Sequence, residues 1–163
     1  MRRVSSGYLS IEKIYVLLIF SLLTIIVCST IVYFSSYTSG NANIVGLGVG
    51  VYWDPNCDNP INNLSWGTIN VNPLQPQISK NATIYIKNRL QKPVTLQLNT
   101  SNWLPPEIER YINITWDYTG KPVKTYEIVK ITLTLSIDKS IWFENSRLIH
   151  YSFQLIVSAS DFS

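Results

Sequence analysis

The sequence predicts an all-β protein, an Ig-like antiparallel β-sandwich of about seven strands, preceded by one N-terminal transmembrane helix. Apolar and polar residues alternate with period two through most of the chain after residue 43. Clusters of Pro, Gly, Asn and Asp separate these segments, and one long uncharged apolar run precedes them. Alternation of period two is typical of strands that bury one face, and two such sheets must stack to share a core.

The apolar run covers residues 14–34 and contains no charge, Pro, Gly or Asn. At about 1.5 Å per residue, a helix of this length crosses a hydrocarbon core of about 30 Å. A cleaved secretory signal has a shorter apolar region, of about 7–15 residues. Arg2, Arg3 and Lys13 precede the run. By the positive-inside rule, residues 1–13 are expected in the cytoplasm, 14–34 in the membrane and the remainder outside.

A short polar segment, SSYTSGNAN at residues 35–43, follows the apolar run and shows no apolar periodicity. Small polar residues without periodicity predict a flexible linker. The extracytoplasmic β-sandwich is expected over residues 44–163, close to the usual size of such domains, about 100 residues.

Six segments of this domain alternate clearly, and a seventh strand is expected around Trp66–Ile69. The six are IVGLGVGVYW, ISKNATIYIKN, PVTLQLNTSNW, YINITWDY, VKITLTLSID and LIHYSFQLIVS. Turn signals such as Asp54-Pro55-Asn56 and Gly120-Lys121-Pro122 lie between them. This series of short strands and turns, without any helical period, predicts the sandwich.

The clearest chemical signal is a set of four N-glycosylation sequons, at Asn63 (NLS), Asn81 (NAT), Asn99 (NTS) and Asn113 (NIT). The last three lie on predicted strands, on the face opposite the apolar residues. Such triplets also arise by chance, and asparagine faces outward with or without a glycan. Together with the predicted outward topology, the pattern favours glycosylation of this domain.

No residue pattern indicates catalysis, a metal site or a cofactor. His150 is the single histidine of the sequence, and no nucleophile elbow, phosphate loop or calcium loop is present. The segment DPNCD at residues 54–58 is typical of a solvated turn rather than a cation site. After residue 40, ten Lys and Arg face nine Asp and Glu. Because a nucleic-acid-binding surface needs a basic stripe, this near-neutral domain is expected to bind no nucleic acid.

The two cysteines are expected to lie in different media. Cys28 belongs to the apolar run and Cys57 to the outer domain, so the two are not expected to pair. Cys57 is interpreted as a half-buried small side chain, and a reactive or intermolecular thiol is the alternative.

Four segments together resemble a group of short archaeal surface proteins, distantly similar to archaeal pilin-like proteins. The segments are GVGVYWDPNC, LSWGTINVNP, IYIKNRLQKPVTLQLNTSNW and ITLTLS, and the resemblance covers residues 46–157. Proteins of this group combine an N-terminal transmembrane helix with one small β-sandwich. The chain departs from the group at residues 88–92, NRLQK, where relatives usually have a glycine-containing turn. The resemblance implies a glycosylated protein on an archaeal surface, and it implies no reaction.

The first candidate function is a single-pass membrane-anchored cell-surface protein that displays a glycosylated sandwich. Its role would be structural, adhesive or partner-binding. Its partners would be the lipid bilayer, through residues 14–34, and cell-surface proteins or glycans. The protein is then expected in the cell membrane, with a cytoplasmic N-terminus and an extracellular C-terminal domain.

The second candidate is a filament subunit. A type IV pilin-like subunit would be cleaved after Gly7, with Tyr8 as the new N-terminus and Glu12 as the fifth residue. A strand-exchange fibre would instead use IVGLGVGVYW. Lys13 beside Glu12, and the absence of Gly and Ala from the apolar run, favour the uncleaved anchor.

Overall fold

A computed structural model describes residues 11–33, 36–71, 78–138, 140–141 and 149–161. The contacts between Cα atoms divide the chain into two units, Met1–Ser35 and Ser36–Ser163.

The first unit contains helix α1, Ile11–Tyr33. Its large apolar side chains between Ile14 and Ile25 are 45–70% exposed. Within the ranges that the structure describes, no helix is long and apolar enough to cross a membrane. The transmembrane helix predicted at residues 14–34 is therefore not found in the described structure. The observed helix begins three residues before the predicted span and includes the charged residues Glu12 and Lys13.

The second unit is a sandwich of two four-stranded sheets, eight strands in the described residues. Their bounds are β1 Ser36–Leu47, β2 Val49–Tyr52, β3 Asn63–Val71, β4 Ile78–Asn88, β5 Val94–Leu104, β6 Ile112–Trp116, β7 Ile128–Ile137 and β8 Ile149–Asp161. Sheet A has the order β3-β1-β8-β5, and sheet B has the order β2-β4-β7-β6. A 3-10 helix, Pro106–Tyr111, connects β5 to β6. The predicted β-sandwich is confirmed.

The core lies between the two sheets, where every second residue of most strands points inward. Sheet B contributes aliphatic side chains that are fully buried, such as Ile84 and Leu133. Sheet A contributes aromatic side chains around Phe153, whose ring stacks on Trp103 at a centroid distance of 4.2 Å and on Trp66 at 6.0 Å. Burial of these apolar surfaces is the main force that holds the sheets together.

The structure differs from the sequence prediction at residues 36–43, which were expected in a flexible linker and instead begin β1. Strand β1 pairs antiparallel with β3 and parallel with β8. The inward positions here are Thr38, Gly40 and Ala42, which are buried but too small or polar to produce an apolar alternation. Backbone hydrogen bonds to two neighbours hold this segment as a strand. The parallel pair also corrects the expectation of a purely antiparallel sandwich.

The predicted first strand, IVGLGVGVYW, is divided in two at Gly48, whose φ is +75°. Strand β1 ends before Gly48 in sheet A, and β2 starts after it in sheet B. The break changes which side chains point inward. Leu47 and Trp53, which the alternation placed on the apolar face, are 53% and 45% exposed.

Candidate functional site

The four sequon asparagines are all exposed, with two on each sheet. Asn63 in β3 and Asn99 in β5 belong to sheet A, and Asn81 in β4 and Asn113 in β6 belong to sheet B. Each lies at an outward position of its strand because apolar residues nearby in the alternation fill the core. The exposure predicted for Asn81, Asn99 and Asn113 is therefore found, and Asn63 is exposed as well. The glycosylation of all four stays a prediction.

On sheet B, the two sequons flank the central strand β7. Asn81 is paired with Thr134 and Asn113 with Ser136, so the two asparagines lie on either side of β7, two residues apart along it. From the usual strand spacing and rise per residue, their Cα atoms are roughly 12 Å apart. Two glycans at this distance would cover much of the outer face of sheet B.

On sheet A, Asn63 lies in a group of uncharged polar side chains that we call the carboxamide face. They surround a shallow recess on the outside of the sheet: Asn41, Asn43, Asn63, Asn102, Ser152 and Gln154. Gln154 Oε1 accepts hydrogen bonds from Asn102 Nδ2 at 3.1 Å and from Ser101 Oγ at 3.2 Å. Carboxamides both donate and accept without charge, so this face can bind sugar hydroxyls or peptide groups.

Sequence reasoning missed the carboxamide face because it placed part of the face in the linker. The spacing of Asn41 and Asn43, two residues apart and separated by a small apolar residue, is a strand-like signal. The signal is weak because Gly and Ala occupy the inward positions. Pairing with Asn63 of β3 and Gln154 of β8 then brings these side chains together.

The residues of the predicted leader are only partly within the described structure. Gly7 and Tyr8 lie outside the described residues. Glu12 lies in the first turn of α1, and its side chain is exposed.

Among the described residues, those that could catalyse a reaction or bind a metal ion lie apart from one another or make structural contacts. His150 is exposed, and its Nδ1 lies 2.8 Å from Ser39 Oγ on the neighbouring strand β1. Across the described ranges, no three His, Cys, Asp or Glu side chains lie close enough to hold a metal ion.

The Asp54 carboxylate organises the turn after β2. It accepts hydrogen bonds from the backbone N–H groups of Asn56, Asp58 and Asn59, at 2.8–3.2 Å, and from Asn59 Nδ2 at 3.0 Å. Desolvation raises the pKa of Asp54, but these hydrogen bonds outweigh it and hold the pKa below its usual value. The carboxylate thus has the structural role typical of aspartate in a turn.

Cys57 is half-buried in the same turn, as predicted, and its φ is +62°. Burial raises the pKa of its thiol, although the nearby charge of Lys87 opposes the shift. A raised pKa reduces the thiolate fraction at neutral pH, which argues against a reactive nucleophile.

Comparison with known proteins shows no family for this chain. No family model matches it, and no match was found among the curated proteins. Among solved structures, it is similar to the ASH/PapD-like domain of human CEP192 (PapD-like domain 7) at a TM-score of 0.27 and 6% sequence identity. The similarity covers 80% of this chain and 87% of that chain. The resemblance to short archaeal surface proteins therefore stays a prediction.

Proposed function

We propose that this protein displays a glycosylated β-sandwich outside the cell, in a structural, adhesive or partner-binding role without catalysis. The observation that carries the proposal is the placement of the four sequons. All four asparagines are exposed, and each sheet has two of them. Glycans at these positions would cover both outer faces and protect the sheets from edge-to-edge association.

Site-by-site mapping of the protein from its native host tests this proposal. We expect glycopeptides at two or more of Asn63, Asn81, Asn99 and Asn113, and the loss of one glycan mass in each Asn→Gln variant of an occupied site. Asn43→Gln is the matched control, because Asn43 is exposed beside Asn63 in sheet A and begins no sequon. Recovery of all four asparagines unmodified would contradict the proposal.

A second candidate function, the filament subunit, is favoured by the exposure of α1. Apolar side chains all along the helix from Ile14 to Ile25 are 45–70% exposed. A helix that is apolar on every side needs to be covered by other apolar surfaces. Copies of α1 packed together would supply this cover. In such a bundle, Glu12 could neutralise the amine that cleavage after Gly7 frees on a neighbouring subunit.

N-terminal sequencing and shearing of native cells test the second candidate. A filament subunit would begin at Tyr8 and be recovered in sheared extracellular fibres. Glu12→Gln should abolish these fibres, whereas Glu107→Gln, an exposed glutamate of the 3-10 helix, should leave them unchanged. A chain that retains residues 1–7 and never enters the fibres would exclude this candidate.

The remaining expectations on location and partners stay predictions. They are a contact with lipid through residues 14–34, a cytoplasmic N-terminus and an extracellular C-terminal domain. Flotation of the native protein with lipid, and digestion of the sandwich by a protease added to intact cells, would test them separately.

A further inference from the structure

Strand β1 occupies an interior position in sheet A, although it is the first strand of the chain. It lies between β3 and β8 and pairs with both, in a continuous ladder with β8 and in one with β3 that shifts register between Ser39 and Asn41. If β1 left the sheet, two strands would expose unpaired backbone N–H and C=O groups. Only another extended segment can satisfy both edges of such a groove.

The groove suits the residues of β1 in particular. An added Cβ at Gly40 would lie 1.9 Å from Cε2 of Tyr151, because the tyrosine ring covers this position of β1. The buried side chains beside it, Thr38 and Ala42, are also small. A strand that enters the groove must therefore be small at these positions, as β1 of any copy of this chain is.

The described core side chains of β1 are small or aliphatic, and the largest of them is Ile44. The large aromatic side chains of this part of the core, Tyr151 and Phe153, belong to β8 instead. Replacement of β1 by the same strand from another copy restores every backbone hydrogen bond and every side-chain contact. The free-energy difference between the closed and exchanged forms then depends on the connection that leaves β1 and on the entropy of association.

That connection is a tight glycine hinge. Gly48 alone separates β1 in sheet A from β2 in sheet B, and its φ of +75° is one that other residues rarely adopt. An added Cβ at Gly46 would lie 2.5 Å from the carbonyl oxygen of Val49, which shows how closely the chain folds back. A hinge that opened would release this constraint and let β1 run on to another molecule.

We propose that β1 exchanges between copies, so that residues 36–47 of one copy fill the groove between β3 and β8 of a second copy. The inference rests on the self-assembling candidate function, and it adds the exchanged segment, the receiving groove and the hinge. Reciprocal exchange gives a closed dimer. Donation from each copy to the next gives an open chain.

Cysteine pairs across β1 and β3 test the exchange. Asn43 and Asn63 are exposed and directly opposite each other, at a Cα separation of about 4.5–5.5 Å that a disulfide can bridge. Full-length Asn43→Cys chains are mixed with full-length Asn63→Cys chains, unfolded and refolded together, and then oxidised. Both chains also carry Cys28→Ser and Cys57→Ser, so that no other thiol is present.

We expect a disulfide between the two different chains, identified by mass spectrometry of the linked peptides. In a closed monomer, each new cysteine faces an asparagine of its own chain, and no such disulfide forms. The control mixture replaces Asn63→Cys with Asn81→Cys, because Asn81 is exposed on sheet B, away from β1. The yield of linked chains in this mixture measures the disulfides that form by random collision. A linked yield no higher than that of the control would overturn the proposal.

The hinge is tested by Gly48→Val in the same assay. The strain of a left-handed β-branched residue is expected to raise the ratio of exchanged to closed forms roughly 5–30-fold. Gly120→Val is the matched control, because Gly120 has a φ of +78° but lies outside the hinge. An equal ratio of exchanged to closed forms in both variants would contradict the role of Gly48 as the hinge. If Gly48→Val does not fold, the cysteine experiment with the native hinge still decides the exchange.

A third cysteine separates this inference from packing of α1. Leu17→Cys, on the exposed helix, reports contact between copies of α1. Linkage at residue 17 without linkage between 43 and 63 would support packing of α1 and overturn strand exchange. Linkage between 43 and 63 alone would support exchange and contradict assembly through α1.

Discussion

At the scale of single residues, Asn88 organises the loop between β4 and β5. Its side chain is fully buried, and the two N–H groups of Nδ2 are shared among the carbonyl oxygens of Lys92, Val123 and Lys124 at 2.8–3.1 Å. Its Oδ1 accepts from the Leu90 N–H at 2.8 Å. These hydrogen bonds close the turn by side-chain contacts, which explains how the loop at residues 88–92 forms without a glycine.

Asn88→Ala is expected to lower the free energy of unfolding by about 3 kcal/mol, because it removes the hydrogen bonds between this buried side chain and the backbone, at about 0.5–1.5 kcal/mol each. Urea unfolding of the sandwich measures this change. Asn99→Ala, at an exposed position of β5, is the control and should change stability by no more than about 0.5 kcal/mol. A loss at Asn88 as small as that of the control would show that water replaces these contacts.

Tyr151 should make stability depend on alkaline pH. Burial raises the pKa of Tyr151 from 10.0 to about 12, and its hydroxyl is buried without a hydrogen-bond partner in the described structure. The pKa of Tyr151 is higher in the folded state than in the unfolded state, so its protonated hydroxyl contributes its full share of stability below pH 10. This share of stability is lost as the pH rises through about 12.

Tyr151→Phe is therefore expected to be neutral or stabilising below pH 10, since it removes a buried unpaired hydroxyl. Its advantage over the native chain should increase between pH 10 and 12. Denaturant unfolding of both proteins across this pH range measures the difference between their free energies of unfolding. The other tyrosines contribute equally to both proteins and cancel in this difference. A difference that does not change with pH would show that Tyr151 titrates normally.

At the scale of elements, the position of β1 decides where the folded unit begins. A fragment of residues 36–163 retains all eight strands, whereas a fragment of residues 44–163 lacks most of β1. The shorter fragment would expose the edges of β3 and β8. We expect it to aggregate and to unfold at a temperature lower by more than about 5 °C, the effect of a stability loss above about 1 kcal/mol.

Thermal unfolding followed by circular dichroism, with size-exclusion chromatography, compares the two fragments. Addition of a peptide of residues 36–47 should restore the shorter fragment, because the peptide can fill the open groove. Equal melting temperatures would show that the sandwich does not need β1.

At the scale of the whole molecule, the small net charge limits the partners. The formal net charge is +3, of which +2 lies before residue 40 and +1 after it. We expect fragment 36–163 to bind duplex DNA no more tightly than the weak end of non-specific binding, a Kd of about 10⁻⁴ M at physiological salt. Fluorescence anisotropy of a labelled duplex measures it. A micromolar Kd that weakens steeply with salt would reveal a basic surface that charge counting misses.

The sequence by itself determined the β-sandwich and the outward exposure of Asn81, Asn99 and Asn113. These features follow from local alternation, because a strand that buries one face repeats every two residues whatever its partner. For β4, β5 and β7, the alternating segments ISKNATIYIKN, PVTLQLNTSNW and VKITLTLSID lie within one residue of the observed bounds.

Only the tertiary structure decided which residues between Ser36 and Tyr52 form strands and to which sheet each strand belongs. The segment 36–43 is a strand because β3 and β8 supply its hydrogen bonds, and these partners lie far away in the sequence. The break at Gly48 depends on a backbone angle that glycine permits but does not require. The local alternation of apolar and polar residues indicates which side chains face a core. Pairing between distant strands depends instead on backbone N–H and C=O groups, which are the same in nearly every residue.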